Sequence, residues 1–481
     1  MYPIYNLQMI LFFFYEADWE EVLCIKRLLR CFEVISGLKI NYNKSMVIGV
    51  GVEEDLLNDF ADALNCSKHA LPFMFLGMPF GASPRLKSTW DPIVKKFKLR
   101  LATWKRKHLS FGGRLTLIKS MLSSLPVYYL SLFKMHVSVI KELESIQAKL
   151  LWGGSDLKRK IHMVKWSDVT RRRDAGGLGI RSLSVMNLHL LVKWWWRFGC
   201  TNRVLWKDIL CSKYDYATNG WLPSFVPQTN VSRVWKDILS ASVSNPSVLV
   251  LYQSNVSIHV GNGRRCRFWI DRWLREGSLK GLFPRLFSLS LEKEGTMFEF
   301  FRRKSTLGVW DFYFHRQLFA WEMDECSVLI HLLHCSPVLS ESENNRLVWK
   351  TEVSGLFTVK SVYDQFNLNL GPLPSVPRAI WMNIAPSEMQ FTCWLAWKGR
   401  LKPSVFLHSI GVLDPTVDPL CIFCNSCDED VNHVILHCSF AWKIWTEILS
   451  WWGIIWVVPQ SMSHLLEWWD GFKIKKLEKS I

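Results

Sequence analysis

The sequence predicts an α+β protein that is mostly helical, with a small domain rich in cysteine and histidine near its C-terminal end. Three observations lead there. Apolar residues recur at helical spacing through several long stretches. Short apolar runs beside Gly, Asn and Ser turns read as strands. Residues Cys421 to Cys438 read C-I-F-C-N-S-C-D-E-D-V-N-H-V-I-L-H-C, which is C-x2-C-x8-H-x4-C.

That last pattern suits Zn2+, which takes four sulfur or nitrogen donors in a tetrahedron, two of them readily presented by one C-x2-C turn. The expected set is Cys421, Cys424, His433 and Cys438, with Asn425 and Ser426 in the turn and the last two on the adjacent turns of a helix. Cys427 and His437 lie inside the same stretch, and either is an alternative ligand. Asp428, Glu429 and Asp430 would offer a general base to a zinc hydrolase, but four protein ligands close the site, and the acids read as a solvated loop.

In chain order, Met9 to Tyr15 reads as a buried strand. A helix follows over Trp19 to Ile35, capped by Asp18 and stopped by Gly37. Leu38 to Asn41 and Met46 to Val50 read as two strands about Asn43-Lys44-Ser45, and Leu76 to Pro79 as a join. Helices are expected from Trp90 to Trp104, Phe111 to Leu125, Val137 to Leu150 and Asn187 to Gly199. The last holds Trp194, Trp195 and Trp196, which cannot share one helix face and imply burial between neighbours. W-K-D-I-L occurs at both Trp206 and Trp235 without establishing a repeat. Ser257 to Trp273 and Arg346 to Lys360 each read as a hairpin, Gly371 to Pro377 as a linker, and Ala441 to Trp452 as a helix.

The formal charge of +17 points to an anionic partner, nucleic acid first and a membrane surface second. From Arg85 to Lys119 there are eleven Lys/Arg against one acid, Asp91. Lys95, Lys96, Lys98 and Arg100 fall largely off the apolar stripe of their helix, and Lys105, Arg106 and Lys107 follow it. We expect this surface to grip phosphates. Lys158 to Arg173 is a second basic stretch. Arg264, Arg265 and Arg267 beside Phe268, Trp269 and Trp273 combine charge with stacking surface, although core packing would explain the aromatics equally well. Gly176-Gly177-Leu178-Gly179 is a turn that lacks the G-x-G-x-x-G pattern. The 13 scattered cysteines fit a reducing compartment, cytoplasm or nucleus, and neither a signal peptide nor a spanning segment is evident.

These residues resemble plant LINE-type non-LTR retrotransposon reverse transcriptases, in their C-terminal part. The resemblance rests on S-G-L-K-I-N-Y-N-K-S at Ser36, F-L-G-M-P at Phe75, L-S-F-G-G-R-L-T-L-I-K-S-M-L-S-S-L-P at Leu109 and L-L-W-G-G at Leu150. G-G-L-G-I at Gly176, R-F-W-I-D-R-W at Arg267 and I-W-M-N-I-A-P-S-E-M-Q-F-T-C-W-L-A at Ile380 continue it. It implies a palm tail over 1–50, a thumb-like basic helical region over 51–200, a Trp-rich connecting region over 201–345, the reverse-transcriptase zinc-binding domain over 346–450 and a tail to 481. It also implies RNA or target DNA as partner.

The sequence departs from the family at the catalytic centre. Family members carry Ala-Asp-Asp after a Leu-Gln pair, and such aspartates help hold two Mg2+ ions. Here Leu7-Gln8 runs into Met9-Ile10-Leu11, and no Asp-Asp pair occurs in the sequence. The expectation is a nucleic-acid- and zinc-binding fragment without polymerase activity, lacking the Mg2+ ligands of the intact enzyme. A zinc-stabilised protein-interaction module is the alternative.

Overall fold

A computed structural model describes residues 12–104, 109–153, 162–200, 204–217, 220–225, 230–274, 276–303, 310–334, 336–368 and 377–471. The chain divides into two compact units, Met1–Thr89 and Trp90–Ile481.

In the first unit, α1 (Trp19–Ser36) starts after Asp18 in extended backbone and ends at Gly37, whose φ of 68° suits glycine. Of its apolar positions only Val22 is fully buried, against Val47, Phe60 and Leu64. β1 (Met46–Val47), α2 (Glu54–Leu64) and β2 (Ser67–Lys68) form a small βαβ unit with the strands parallel. The expected hairpin of Leu38–Asn41 with Met46–Val50 is therefore corrected. Ile40 gives its N–H to Glu33 Oε1 (2.9 Å) and Lys44 gives its N–H to Asn41 Oδ1 (3.2 Å), so side chains take donors that a ladder would need. Phe12 to Tyr15 is not a strand either, and Met9 to Leu11 lie outside the described residues. The join at Leu76-Gly77 proves to be a tight hairpin turn between β3 (Phe73–Phe75) and β4 (Met78–Phe80). Both turn residues have positive φ, 47° and 79°, as a two-residue hairpin of this hand requires.

The second unit is mostly helical, as the sequence predicts. α3 (Asp91–Trp104) packs on α6 (Val137–Gly153), with α4 (Phe111–Leu117), a π turn at Ile118–Leu122 and α5 (Val127–Leu130) between them in the chain. The short α7 (Trp166–Val169) precedes the central helix, α8 (Leu183–Cys200). Asn187 of α8 is buried. Its Nδ2 donates to the carbonyls of Leu130 and Phe133, and its Oδ1 accepts the Met135 N–H, all at 2.8 Å. One amide thus satisfies three backbone groups that a helix end leaves open.

The main core surrounds α8 and is built with α9 (Leu205–Tyr214), α10 (Arg233–Ser244), α11 (Pro246–Asn255) and β5 (Val256–His259). The two W-K-D-I-L copies lie in α9 and α10 and turn their Trp residues into this core. The Trp triplet splits by direction. Trp194 meets Trp206, Trp195 meets Phe225 and Tyr252, and Trp196 stacks on Phe357. Four helices follow: α12 (Leu279–Leu282), α13 (Pro284–Leu289), α14 (Met297–Arg303) and α15 (Ala320–His334).

Neither predicted hairpin of this unit forms. β5 pairs antiparallel with β6 (Arg346–Trp349), so each segment supplies one strand to the other. The reason lies in the turns. Asn345 Oδ1 accepts the N–H groups of Gly261 and Gly263, and Asp271 Oδ2 accepts the Arg267 N–H (2.7 Å). A Cβ at Gly261 would stand 2.3 Å from the Glu343 carbonyl oxygen, so only glycine permits that approach. After β6 the chain enters α16 (Val359–Leu368) instead of a return strand. The expected linker at Gly371 to Pro377 lies almost wholly outside the described residues. α17 (Pro377–Trp381), α18 (Ser387–Trp397), α19 (Ser404–Ser409), α20 (Ser439–Trp451) and α21 (Met462–Gly471) complete the fold.

Glu322 of α15 is wholly enclosed and accepts from Arg316, Arg285 and the Phe319 N–H. Its hydrogen bond with Arg316 leads in holding its pKa down to about 2. A carboxylate depressed in the folded state adds stability above its unfolded pKa and loses it as pH falls. We expect Tm of the wild type to drop between about pH 4.5 and pH 2 in part through this group, and Glu322→Gln to flatten that limb. Parallel acid limbs for the two proteins would reject this assignment.

Candidate metal centre and basic surfaces

The chain after α19 folds back on itself through a bridge between Leu420 and Asp428. Cys421 N–H donates to the Cys427 carbonyl, and Asn425 N–H donates to that of Cys421, both at 2.8 Å. Asn425 takes a φ of 51°, which lets the turn close tightly enough to bring Cys421 and Cys424 to one side. Downstream, Asp430 Oδ1 caps the His433 N–H at 2.7 Å. His433–His437 then forms a π turn rather than a regular helix, and Cys438 N–H donates to the His433 carbonyl at 2.7 Å. Residues five apart diverge around an α-helix. The wider turn returns His433 and Cys438 to one side.

The structure brings Cys421, Cys424, His433 and Cys438 together, with their donor atoms all within 4.8 Å of one another. Cys421 Sγ is 4.0 Å from Cys438 Sγ, and Cys424 Sγ is 3.2 Å from His433 Nε2. A tetrahedral zinc with bonds of about 2.3 Å to sulfur separates its sulfurs by about 3.8 Å, so the donor set fits that ion. Cys421 and Cys438 are fully buried. The Ser426 N–H, followed by the His433 ring, draws the Cys424 thiol down to about 6, while burial pushes Cys421 up. Cys427 is exposed and outside the group, and His437 Nε2 lies 3.1 Å from the Pro459 carbonyl. The acidic loop is largely committed. Besides the Asp430 cap, Glu429 Oε2 accepts from Ser404 Oγ at 2.6 Å. Reading that loop as solvated missed both roles. The signal available was Asp430 standing three residues before the first helical ligand, a cap position.

Residues 357–445 match the family of zinc-binding domains in reverse transcriptase. This stretch is similar to the zinc-binding domain of reverse transcriptases. It is also 27% identical over 380 residues to an Arabidopsis thaliana protein named "Putative ribonuclease H protein", covering 76% of this chain and 56% of that relative. The chain thus spans little more than half of that protein's length. An uncharacterized mitochondrial protein of Arabidopsis thaliana is 29% identical over 154 residues, 32% of this chain and 94% of that relative.

The reverse-transcriptase zinc-binding domain is tied to the body of its unit. Arg172 Nη1 reaches Asp364 at 2.8 Å, and Trp394 Nε1 donates to the Gly176 carbonyl at 2.9 Å. On α3, Lys95, Lys96 and Arg100 are exposed, and none makes an ion pair among the described residues. Lys98 pairs with Glu142 at 3.0 Å. Lys105, Arg106 and Lys107 lie outside the described residues. The arginines of the middle region differ from one another. Arg264 is exposed, with its guanidinium over Phe298. Arg265 lies over Trp221 at 3.8 Å and donates to the Gly220 carbonyl. Arg267 pairs with Asp271 and Glu294. Phe268, Trp269 and Trp273 are buried, so their stacking capacity is spent on the core and is not offered to a base. Among the described residues no helix is long and apolar enough to cross a membrane.

Proposed function

We propose that the chain is a nucleic-acid-binding part of the reverse-transcription machinery of a LINE-type non-LTR retrotransposon, acting on RNA or DNA in the nucleus or cytoplasm. In this reading Cys421, Cys424, His433 and Cys438 hold one Zn2+. The ion supplies a tetrahedral cross-link and no catalysis, because four protein donors leave no open position. Polymerisation is not assigned to these residues, since the sequence holds no Asp-Asp pair for the two Mg2+ ions. Primer extension with Mg2+ or Mn2+ is expected to be absent, and template-dependent synthesis by the pure protein would refute this.

The observation that carries the reading is the α3 face. Lys95, Lys96 and Arg100 stand exposed and make no ion pair among the described residues, in the same compact unit as the zinc-binding domain. Unneutralised cations side by side repel, and a polyanion relieves this while releasing its counterions. Binding of labelled RNA and DNA should therefore weaken steeply with salt. Lys95→Gln/Lys96→Gln/Arg100→Gln should lower the log–log salt slope by about 2 to 3, since each lost phosphate contact removes about 0.7 to 0.9. A salt-independent or absent interaction would favour a zinc-stabilised protein-interaction module. That second reading draws on one feature: Phe440, Ile444, Ile448 and Trp451 of α20 form an exposed apolar stripe at helical spacing.

A further inference from the structure

The G-G-L-G turn is unused by the zinc site and by the α3 face. Gly176 and Gly179 both take positive φ, 79° and 70°. The space a side chain would fill at each is occupied by neighbours. At Gly176 these are the Trp397 ring and Lys398 Nζ, the latter 3.5 Å from where a Cβ would stand. At Gly179 they are Lys119 Nζ, 3.4 Å away, and Arg173 Cγ, 3.5 Å away. Lys119 comes from the π turn after α4, and such turns often mark functional sites.

What sets this place apart is the charge balance. Of three successive arginines, Arg171 pairs with Asp168, and Arg172 pairs with Asp174 and Asp364. Among the described residues Arg173 has the Trp381 ring beneath it, at 5.1 Å, and no ion pair. Lys119 is half-buried and makes no ion pair or hydrogen bond among the described residues. Burial, and then the neighbouring Arg173, pull its ammonium down to about 8, and no acid offsets either effect. A partly desolvated cation facing a second cation is costly unless an anion joins them. The backbone N–H groups of Gly176, Gly177, Leu178 and Gly179 are all bonded inside the loop, so the side chains must supply the contacts.

We propose that Lys119, whose ammonium lies over Gly179, and Arg173, whose Cγ lies over the same glycine and whose guanidinium lies over Trp381, form a binding site for a phosphate group. The guanidinium would offer a fork to two phosphate oxygens and the ammonium a point charge to a third. Two sources share this chemistry, a nucleic-acid backbone and a small phosphorylated molecule. The first rests on the function proposed above, whereas the second does not.

The test has two arms on the full chain. In one, affinity for a labelled oligouridylate is followed against salt for wild type, Lys119→Met and Lys119→Met/Arg173→Gln. We expect Lys119→Met to weaken binding about tenfold at low salt and to lower the log–log slope by about 1, and the double variant by about 2. Methionine fills the same space without the repelled charge, so Lys119→Met should melt no lower than wild type. In the other arm, acylation of Lys119 by an amine reagent is read by peptide mass spectrometry. Inorganic phosphate should slow it, and sodium chloride at equal ionic strength should not.

Protection by phosphate with unaltered oligonucleotide binding in the variants supports the site and assigns it to a small phosphorylated ligand. Failure of wild type to bind any oligonucleotide refutes the nucleic-acid function, while phosphate protection would still uphold this site. Unchanged slopes together with acylation indifferent to phosphate and oligonucleotide overturn the proposal.

Discussion

Cys421→Ser is expected to release about one Zn2+ per chain and to open the segment from α19 to the start of α20 to proteases. Structural zinc sites contribute roughly 10 to 16 kcal/mol of apparent binding energy in small zinc-finger peptides, the largest single contribution available to a segment of this kind. Around the ligands themselves the packing is thin. The buried residues next to Cys421 are Cys438 and Ala441, with Cys424 and Val434 partly covered. The neighbouring cluster of Ala396, Val431, Leu436, Met462 and Leu465 should survive in part, as should the Trp445 Nε1 bond to the Ile435 carbonyl. The loss is therefore expected to be local and not global. Cys427→Ser is the control. Its thiol is exposed and outside the ligand group, so metal content should not change. Elemental analysis of the two variants decides the matter. Full zinc in Cys421→Ser, or loss of zinc in Cys427→Ser, would reject this ligand set.

Trp349→Ala should destabilise the second unit by about 3 to 5 kcal/mol, the range for truncating a large buried aromatic residue. Trp349 has no exposed surface. Its ring lies 5.0 Å from that of Phe357, 5.8 Å from Tyr252 and 6.3 Å from Trp196, and its Nε1 donates to Ser361 Oγ at 2.8 Å. It thus joins β6, α8, α11 and the start of the zinc-binding domain, and these cannot all collapse into the hole. Trp349→Phe keeps most ring contacts and removes the indole donor, while Ser361 Oγ keeps its bond to the Thr358 carbonyl, so about 1 kcal/mol is expected. Urea unfolding followed by tryptophan fluorescence measures both. A cost under about 1 kcal/mol for the alanine variant would show that Trp349 is not the junction described.

Much of this was legible because the signals are local. The helix stop at Gly37 follows from a left-handed cap read within a few residues, and Asp18 holds the N-cap position without a side-chain capping bond. The Cys and His spacing pointed to zinc because all four donors lie within eighteen residues, and a tight turn and one widened helical turn suffice to gather them. Strand pairing was the failure. Val256–His259 and Arg346–Trp349 each looked able to pair with its own neighbour. Whether a turn closes a hairpin or is taken up by a distant side chain depends on Asn345 and Asp271, and local patterns carry no record of that competition.

The sequence by itself determined the helical class, the zinc pattern, the basic character of the α3 helix and the missing Asp-Asp pair, because composition and spacing along the chain decide each of these. Only the tertiary structure decided which charges remain available. Arg265 and Arg267 are absorbed by Trp221, Asp271 and Glu294, while the side chains of Lys119 and Arg173, fifty-four residues apart in the chain, both pass over Gly179. Residue type sets the charge, but burial and the nearest opposite charge decide whether it is spent inside the fold or offered to a ligand, and both depend on contacts between distant segments.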